Sequence, residues 1–485
     1  MSESIQVMKF GGTSMGDAEC IGRAAQIIAR AAHDGSVVAV VSAMSGVTNR
    51  LIEAARRSET GDESAATDIA GALSSQHAAA ISALVKDPAR SAQLGKEIER
   101  IINEAANLCR GTALLRELTP RTLDAISSAG ERLSARLLAS SLSEFGVDSV
   151  ALDATELVVT NGEHGQAEPL MRETRKRVAE RLLPLIREGK VPVVTGFIGA
   201  TPEGVLTTLG RGGSDYSATI LGAALGAREI IIWTDVDGVL SADPRLVPEA
   251  RLLREISYAE AAELAYFGAK VLHPKTLRPV SEAGVTVWIR NSFAPEKEGT
   301  KITQMGRPSD NSVKAITAIT GVSLITLGGA GIVGVVGVAA KTFSAVASVR
   351  ANVLFISQAS SGNDICFIVE SGDAEQVAKI LWQAFASDLA KHQVEHITVD
   401  SNIAIVAVVG ERMRGTPGIA GRTFSALGRE GINVIAIAQG SSEYNVSFVI
   451  EASAIARAVK AVHQEFNLQR HASRLDPSES EWASV

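Results

Sequence analysis

A lysine, two glycines and two hydroxyls stand together near the start of the chain, in Lys9-Phe10-Gly11-Gly12-Thr13-Ser14, directly after an apolar stretch. That combination suits phosphate. Glycines let backbone N–H groups approach an anion without Cβ interference, a following helix can aim its N-terminus at the same point, and the lysine adds a point charge. A plain strand-to-helix turn would use the same glycines, so the run gains weight from its company. Ser42-Ala43-Met44-Ser45-Gly46-Val47-Thr48-Asn49 follows a second apolar run, and Gly130-Glu131-Arg132 interrupts a helical stretch. Gly210-Arg211-Gly212-Gly213-Ser214-Asp215 follows a hairpin and opens a helix; Thr234-Asp235-Val236-Asp237-Gly238 ends a strand, with Asp243-Pro244-Arg245 just beyond. Ligands of open α/β sheets bind outside the carboxyl ends of the strands, so these segments are predicted to converge.

The elements that must position them alternate between strand and helix over roughly the first 300 residues, the pattern of an α/β layered fold. Strands are predicted at Gln6–Phe10, Ser36–Ala43, Asp148–Leu152, Val191–Ile198, Glu229–Val236 and Val285–Arg290. Residues 64–145 read as helical almost throughout, and Glu173–Lys190 as one more amphipathic helix. The Pro-, Gly- and charge-rich stretch Ser292–Ser312 reads as a linker.

Beyond it the sequence repeats. Lys341-Thr342-Phe343-Ser344-Ala345-Val346 matches Arg422-Thr423-Phe424-Ser425-Ala426-Leu427, Asn352-Val353 matches Asn433-Val434, and Gln358-Ala359-Ser360-Ser361 matches Gln439-Gly440-Ser441-Ser442. Every pair is 81 residues apart, which marks a duplicated module. Each copy reads strand, glycine turn, helix, strand, strand, helix. Val394–Val399 gives the first copy a fourth strand, whereas the second runs into a polar tail with none to offer. The orphan strand Val313–Thr320, ahead of the first copy, is expected to close the sheet of the second.

Composition sets outer bounds. With 485 residues, 46% hydrophobic and 21% charged, the chain is long enough for two or three domains with large cores. A net charge of −7 argues against nucleic acid or an anionic membrane as the main partner. Three scattered cysteines make a disulfide framework improbable and a reducing compartment the expectation; with no signal-peptide pattern and no membrane span, a cytoplasmic protein is expected. Gly329-Ala330-Gly331-Ile332-Val333-Gly334 fits G-x-G-x-x-G, yet the acidic residue a dinucleotide ribose needs about 20 positions later is missing, so a nicotinamide site is disfavoured.

Lys9–Ser14, Gly210–Tyr216, Trp233–Gly238 and Phe267-Gly268-Ala269-Lys270-Val271-Leu272-His273-Pro274 together resemble the aspartate kinases of the amino acid kinase superfamily, over the chain up to about Phe466. The duplicated modules resemble that family's paired ACT domains, and their Gln-x-Ser-Ser pattern is most similar to the kinase half of bifunctional aspartate kinase–homoserine dehydrogenases. The chain stops where the dehydrogenase would begin, so a monofunctional enzyme is expected. The resemblance implies a three-layer α/β kinase domain with a mainly parallel sheet over residues 1–300, then two ferredoxin-like α+β ACT modules over 321–400 and 401–468. The strand 313–320 would close the second module, and 469–485 would form a polar tail.

The implied reaction is MgATP-dependent phosphorylation of the L-aspartate side chain to 4-phospho-L-aspartate, the first step of lysine, threonine and methionine biosynthesis. In the implied roles, Lys9 and Asp215 are catalytic, with Gly11 and Gly12 as nearby donors. Thr48, Glu131, Arg211, Gly212, Gly213 and Ser214 bind substrate, Glu131 taking the ammonium and Arg211 the α-carboxylate. Lys9, Gly11, Gly12, Ser14, Thr234, Asp235, Arg245 and Lys270 bind ATP. The resemblance identifies no protein ligand for Mg²⁺. Where many members carry an aromatic residue after the TDxxG run this chain has Leu240, so that nucleotide contact is not expected. Asn352, Gln358, Asn433 and Gln439 are the expected contacts for an amino-acid effector, threonine in preference to lysine, and a homodimer or tetramer through the ACT modules is implied. Another amino acid kinase, or a sensor with a silent kinase domain, are the rival readings; the presence of Lys9, Glu131, Arg211 and Asp215 weighs against the second.

Overall fold

The computed structural model describes residues 4–268, 272–307, 312–332, 335–358, 364–411, 413–439 and 444–469. Its contacts divide the chain into two compact units. The first spans the chain to Val239, Arg254–Ala262 and the residues up to Arg307; Leu240–Leu253 and residues 263–268 belong to the second. The first unit is therefore not one uninterrupted stretch of sequence.

Its strands are β1 (Gln6–Phe10), β2 (Val37–Val41), β3 (Ser149–Leu152), β4 (Val191–Thr195), β5 (Ile198–Ala200), β6 (Leu206–Thr208), β7 (Glu229–Thr234), β8 (Glu255–Ser257), β9 (Thr286–Asn291) and β10 (Thr300–Thr303). Eight of them form one sheet in the order β3-β4-β2-β1-β7-β9-β10-β8, parallel from β3 to β9, with β10 antiparallel to β9. β5 and β6 make a separate hairpin. Val37–Val41 is buried at every position, as a parallel strand covered on both faces must be.

Six helices build one layer: α1 (Ala18–Asp34), α2 (Val47–Glu59), α3 (Ser64–Leu84), α4 (Pro88–Leu115), α5 (Pro120–Ser127) and α6 (Ala129–Ser143). Side-chain caps start three of them. Asp17 accepts from Cys20 N, Asp87 from Ala89 N and Thr119 from Thr122 N, the last two followed by proline at the first helical position. Met8 and Phe10 point into this layer's core with Met15, Ile21, Leu51 and Leu133. Alternation along β1 then sends Lys9 to the opposite face, where the helix Gly213–Leu225 begins.

Three expectations need correcting. Val191–Ile198 is two strands, because the chain turns at Gly196 and at Phe197, whose φ is +68°. Ser292–Ser312 is no simple linker: Thr300 and Ile302 are buried in β10, between β9 and β8. Gly130–Arg132 does not interrupt a helix but lies in the first turn of α6, and only Ser128 separates it from α5.

The second unit holds a six-stranded antiparallel sheet of β11 (Val313–Gly328), β12 (Phe355–Gln358), β13 (Asp364–Glu370), β14 (His396–Gly410), β15 (Ala436–Ala438) and β16 (Asn445–Glu451), in the order β12-β13-β11-β14-β16-β15. The orphan strand and the first module's opening strand are halves of one long β11, bent near Gly321. Val313–Ile319 pairs with the half of β14 that also meets β16, while Val322–Gly328 pairs with β13 and the other half of β14. The sheet curls so that its edge strands touch, Ser357 Oγ donating to Ile437 O at 3.2 Å.

Each module repeats one packing device. Phe343 meets Phe367 edge-to-face at 5.6 Å in the first, and Phe424 meets Phe448 at 5.7 Å in the second. The helices carrying Phe343 and Phe424, Val338–Ser348 and Ile419–Arg429, both start after a left-handed glycine, Gly337 and Gly418. The G-x-G-x-x-G run belongs to the turn leading into the first of these; its last two residues lie outside the described residues. Phe367 and Phe448 are fully buried, so Phe448→Ala is expected to destabilise the second unit by about 3–5 kcal/mol in chemical denaturation, and Phe367→Ala by a similar amount.

Candidate active site

The carboxyl ends of β1, β2, β4 and β7 lie along one edge of the parallel sheet, and the loops leaving them meet there. Ser42 N donates to Phe10 O at 3.1 Å, Gly11 N to Trp233 O at 3.2 Å and Gly196 N to Val41 O at 2.8 Å. Four loops are thus pinned to one another by backbone bonds before any side chain is considered.

Lys9 is 7% exposed, and its ammonium pairs with the Asp215 carboxylate in the first turn of the Gly213–Leu225 helix. A side chain at Gly11 would bring Cβ within 3.2 Å of Lys9 Nζ, so glycine keeps that side of the cation open. Ser14 is buried beside the same loop, its Oγ 3.3 Å from Trp233 O and 2.8 Å from Ser292 Oγ. Ser292 in turn donates from its N–H to Thr234 O at 2.8 Å, which ties the first loop to the one after β7. The sequence reading did not single out Ser292, because it lies in the stretch taken for a linker. Thr234 Oγ1 donates to Asp235 at 3.1 Å, and Asp237 is held by Lys297 and then Asn291, which keep its carboxyl below the usual range.

Glu131 is the second buried charge-bearing group. Its Oε1 accepts a single bond from Ala43 N at 3.3 Å, and Oε2 has no partner among the described residues. Burial pushes its pKa up to about 8, opposed by its own and the Ala43 backbone N–H groups and by the Lys9 charge. Gly130 permits this placement. A Cβ there would come within 2.7 Å of the Ala43 Cβ and 3.5 Å of Thr48 Oγ1, so only glycine lets α6 press against the loop that opens α2.

The Gly210–Asp215 turn puts Arg211 and Gly212 at the surface and buries Gly213 and Ser214. Gly212 has φ of +68°, and a Cβ on it would strike His273 Cβ at 2.7 Å. His273 caps the helix Pro274–Ala283 by accepting from Lys275 N at 3.3 Å. Burial, then the cations Lys275 and Arg211, lower its pKa, with Asp215 opposing. Its contacts are those of a structural residue.

Two expected residues are not among the described residues of the first unit. Arg245 lies in the second unit, its side chain 82% exposed and gripping Asp243 in its own turn. Lys270 lies outside the described residues. Asn352, Gln358, Asn433 and Gln439 are exposed, with the glutamines at or just past the ends of β12 and β15; the Ser-Ser pairs that follow lie outside the described residues. Among the described residues no group of three or more His, Cys, Asp or Glu is arranged to hold a metal ion.

A buried lysine in a glycine cradle, at the carboxyl edge of a largely parallel sheet, is chemistry that suits phosphate oxygens. Residues 4–291 match the amino acid kinase family, and residues 325–385 and 406–466 match an ACT domain family. The chain belongs to the amino acid kinase family. Within that family it is similar to the aspartokinases: it is 38% identical over 476 residues to bifunctional aspartokinase/homoserine dehydrogenase 1, chloroplastic, of Arabidopsis thaliana, covering 96% of this chain and 52% of that protein. The chain spans about half the length of the curated relatives it matches first. Among solved structures it resembles E. coli aspartokinase III in complex with aspartate and ADP, at 30% identity and a TM-score of 0.80, covering 95% of this chain and 99% of that one. The same enzyme in complex with lysine and aspartate matches at 30% identity and a TM-score of 0.78, covering 96% and 99%.

The raised Glu131 pKa has a consequence for stability. Between pH 4.5 and about 8 an unfolded chain has lost this proton while the folded protein keeps it, so stability falls as pH rises through that window. Glu131→Gln is expected to flatten that slope and to raise the melting temperature by a few degrees, on the order of 2–4 °C, at pH 8 and above, with no gain near pH 4.5. Thermal denaturation across this range checks it.

Proposed function

We propose that this chain is an aspartate kinase, transferring the γ-phosphoryl group of ATP to the side-chain carboxylate of L-aspartate. The observation that carries the reading is the pairing of two opposite environments on one sheet edge: a buried, ion-paired Lys9 beside open glycines, and a buried Glu131 with an unpartnered oxygen. The first suits phosphate oxygens and the second a substrate ammonium. The similarity to an aspartokinase in complex with aspartate and ADP supports the same assignment.

The substrate carboxylate is ionised at neutral pH, so no residue need act as general base. The difficulty is bringing one anion up to another, and the chain's residues address it by charge and position. Lys9 neutralises charge on the transferring group, and Asp215 holds the ammonium in place from one side. Gly11, Gly12 and Ser14 offer donors to the phosphates, while Thr234 and Asp235 hold the nucleotide; for Arg245 and Lys270 a nucleotide role rests on the family resemblance alone. Arg211 takes the α-carboxylate in its planar fork, with Gly212, Gly213 and Ser214 shaping the turn; Glu131, oriented beside Thr48, takes the ammonium. Mg²⁺ bound with ATP would supply further neutralisation of the phosphate charge.

The ACT modules are proposed to bind an amino-acid end product, threonine ahead of lysine, through Asn352, Gln358, Asn433 and Gln439. A glutamine amide both donates and accepts, which suits a zwitterion bearing a hydroxyl. The resemblance of the Gln-x-Ser-Ser pattern to the bifunctional enzymes favours threonine; the similarity to the E. coli enzyme in complex with lysine keeps lysine as the rival. Module boundaries near residues 321, 401 and 468 and a homodimer or tetramer through the modules belong to the same proposal. So does a cytoplasmic location; among the described residues no helix is long and apolar enough to cross a membrane.

ADP release with MgATP and L-aspartate, with L-glutamate as control, is expected to show turnover on aspartate alone. Lys9→Ala should abolish it while circular dichroism stays unchanged; near-normal turnover would sink the assignment. Millimolar threonine is expected to suppress the wild-type rate, and Gln358→Ala or Gln439→Ala to relieve that suppression without changing the uninhibited rate. Inhibition by lysine alone would reassign the effector.

A further inference from the structure

α5 carries a carboxylate that none of these roles uses. Asp124 is 3% exposed, yet its two oxygens collect four hydrogen bonds from beyond its own helix. Oδ1 accepts from Thr208 Oγ1 at 2.6 Å; Oδ2 accepts from Thr208 N at 3.2 Å, Gly165 N at 3.2 Å and His164 Nδ1 at 2.7 Å. A buried carboxylate is tolerated when its lone pairs are filled in this way, and losing one set of donors is correspondingly costly.

All four donors lead to the turn that carries Arg211. Thr208 closes β6 two residues before Gly210, and its carbonyl accepts from Ala167 N at 2.9 Å. Gly165 presses its carbonyl against Gly210, where a Cβ would come within 2.8 Å of that oxygen and φ is +78°. Asp124 therefore grips the turn through its incoming strand and through the loop that backs it. On its own side, Ser128 N donates to Asp124 O at 3.0 Å, at the single-residue step from α5 into α6, whose first turn holds Glu131. One carboxylate ties the helix start bearing the ammonium receptor to the loop bearing the carboxylate receptor.

We propose that Asp124 is a positioning residue for the amino-acid substrate. By fixing the span between Glu131 and Arg211 it sets the length of dicarboxylic amino acid that the site accepts, favouring aspartate over its homologue with one more methylene. The proposal rests on the aspartate kinase reading. Asp124 touches neither substrate in this scheme; it acts through Thr208, Gly165 and the α5–α6 step.

Asp124→Asn preserves size but turns one oxygen into a donor facing N–H groups. In steady-state assays of ADP release by the full chain, it is expected to raise the KM for aspartate on the order of tenfold, leave the KM for ATP within about twofold, and lower the ratio of kcat/KM for aspartate over glutamate. Thr208→Val, which removes only the 2.6 Å hydroxyl bond, should show the same split in smaller measure, and it decides the matter if circular dichroism finds Asp124→Asn unfolded. Unchanged aspartate KM and selectivity in the folded variant would overturn the proposal. An equal rise in both KM values would also overturn it, as the mark of general loosening. Absence of wild-type turnover on aspartate would be seen before any variant is compared, and would overturn the kinase reading itself.

Discussion

A lysine ammonium is expensive to take out of water, and the kinase fold is arranged around doing so at one point. Lys9 is 7% exposed, and the Asp215 carboxylate is what makes that burial sustainable. The pair dictates much else. Lys9 must leave β1 on the face opposite Met8 and Phe10, the helix bearing Asp215 must start beside it, and Gly11 must lack a side chain that would crowd the cation. Removing one member of such a buried pair typically costs about 3–5 kcal/mol, so the arrangement is also a stability commitment. Its return is a cation with a fixed position and an open side.

Glu131 meets the same problem with the opposite solution. Asp215 has a cation against it, whereas Glu131 has backbone N–H groups for company and burial that pushes its pKa up to about 8. An acid so placed favours its neutral form, and a cation brought against it would favour the charged one. Two carboxylates on neighbouring elements are thus prepared for different tasks by what surrounds them. Asp124 makes a third case, buried like Glu131 but with its lone pairs taken by four donors. The three together show why residue type alone does not assign a role.

The second unit applies one design twice. Equivalent phenylalanine pairs, equivalent glycine-initiated helices and the two halves of β11 and β14 give each module the same core and the same sheet. Its edge strands β12 and β15, which lead to the glutamines, stay short, and the sheet's curl brings them into contact.

How much could be read without coordinates varied with the kind of signal. β1 and the 81-residue repeat were legible because apolar runs and exact spacing survive in one dimension. The convergence of Lys9, Glu131 and Asp215 was legible only through ordered motifs, since the three are far apart in sequence. β10 was not legible: four residues amid prolines and glycines form a strand because neighbours offer them hydrogen bonds, which no local pattern records. Asp124 and Ser292 escaped for a related reason, as a single polar residue in a helix or loop looks the same whether it faces water or four buried donors. The sequence by itself determined which chemistries were present, where glycine was required, and that a module was duplicated. Tertiary structure alone decided which carboxylate is paired, which is left unpartnered and which ties two loops together, because desolvation and hydrogen bonding depend on neighbours in space rather than along the chain.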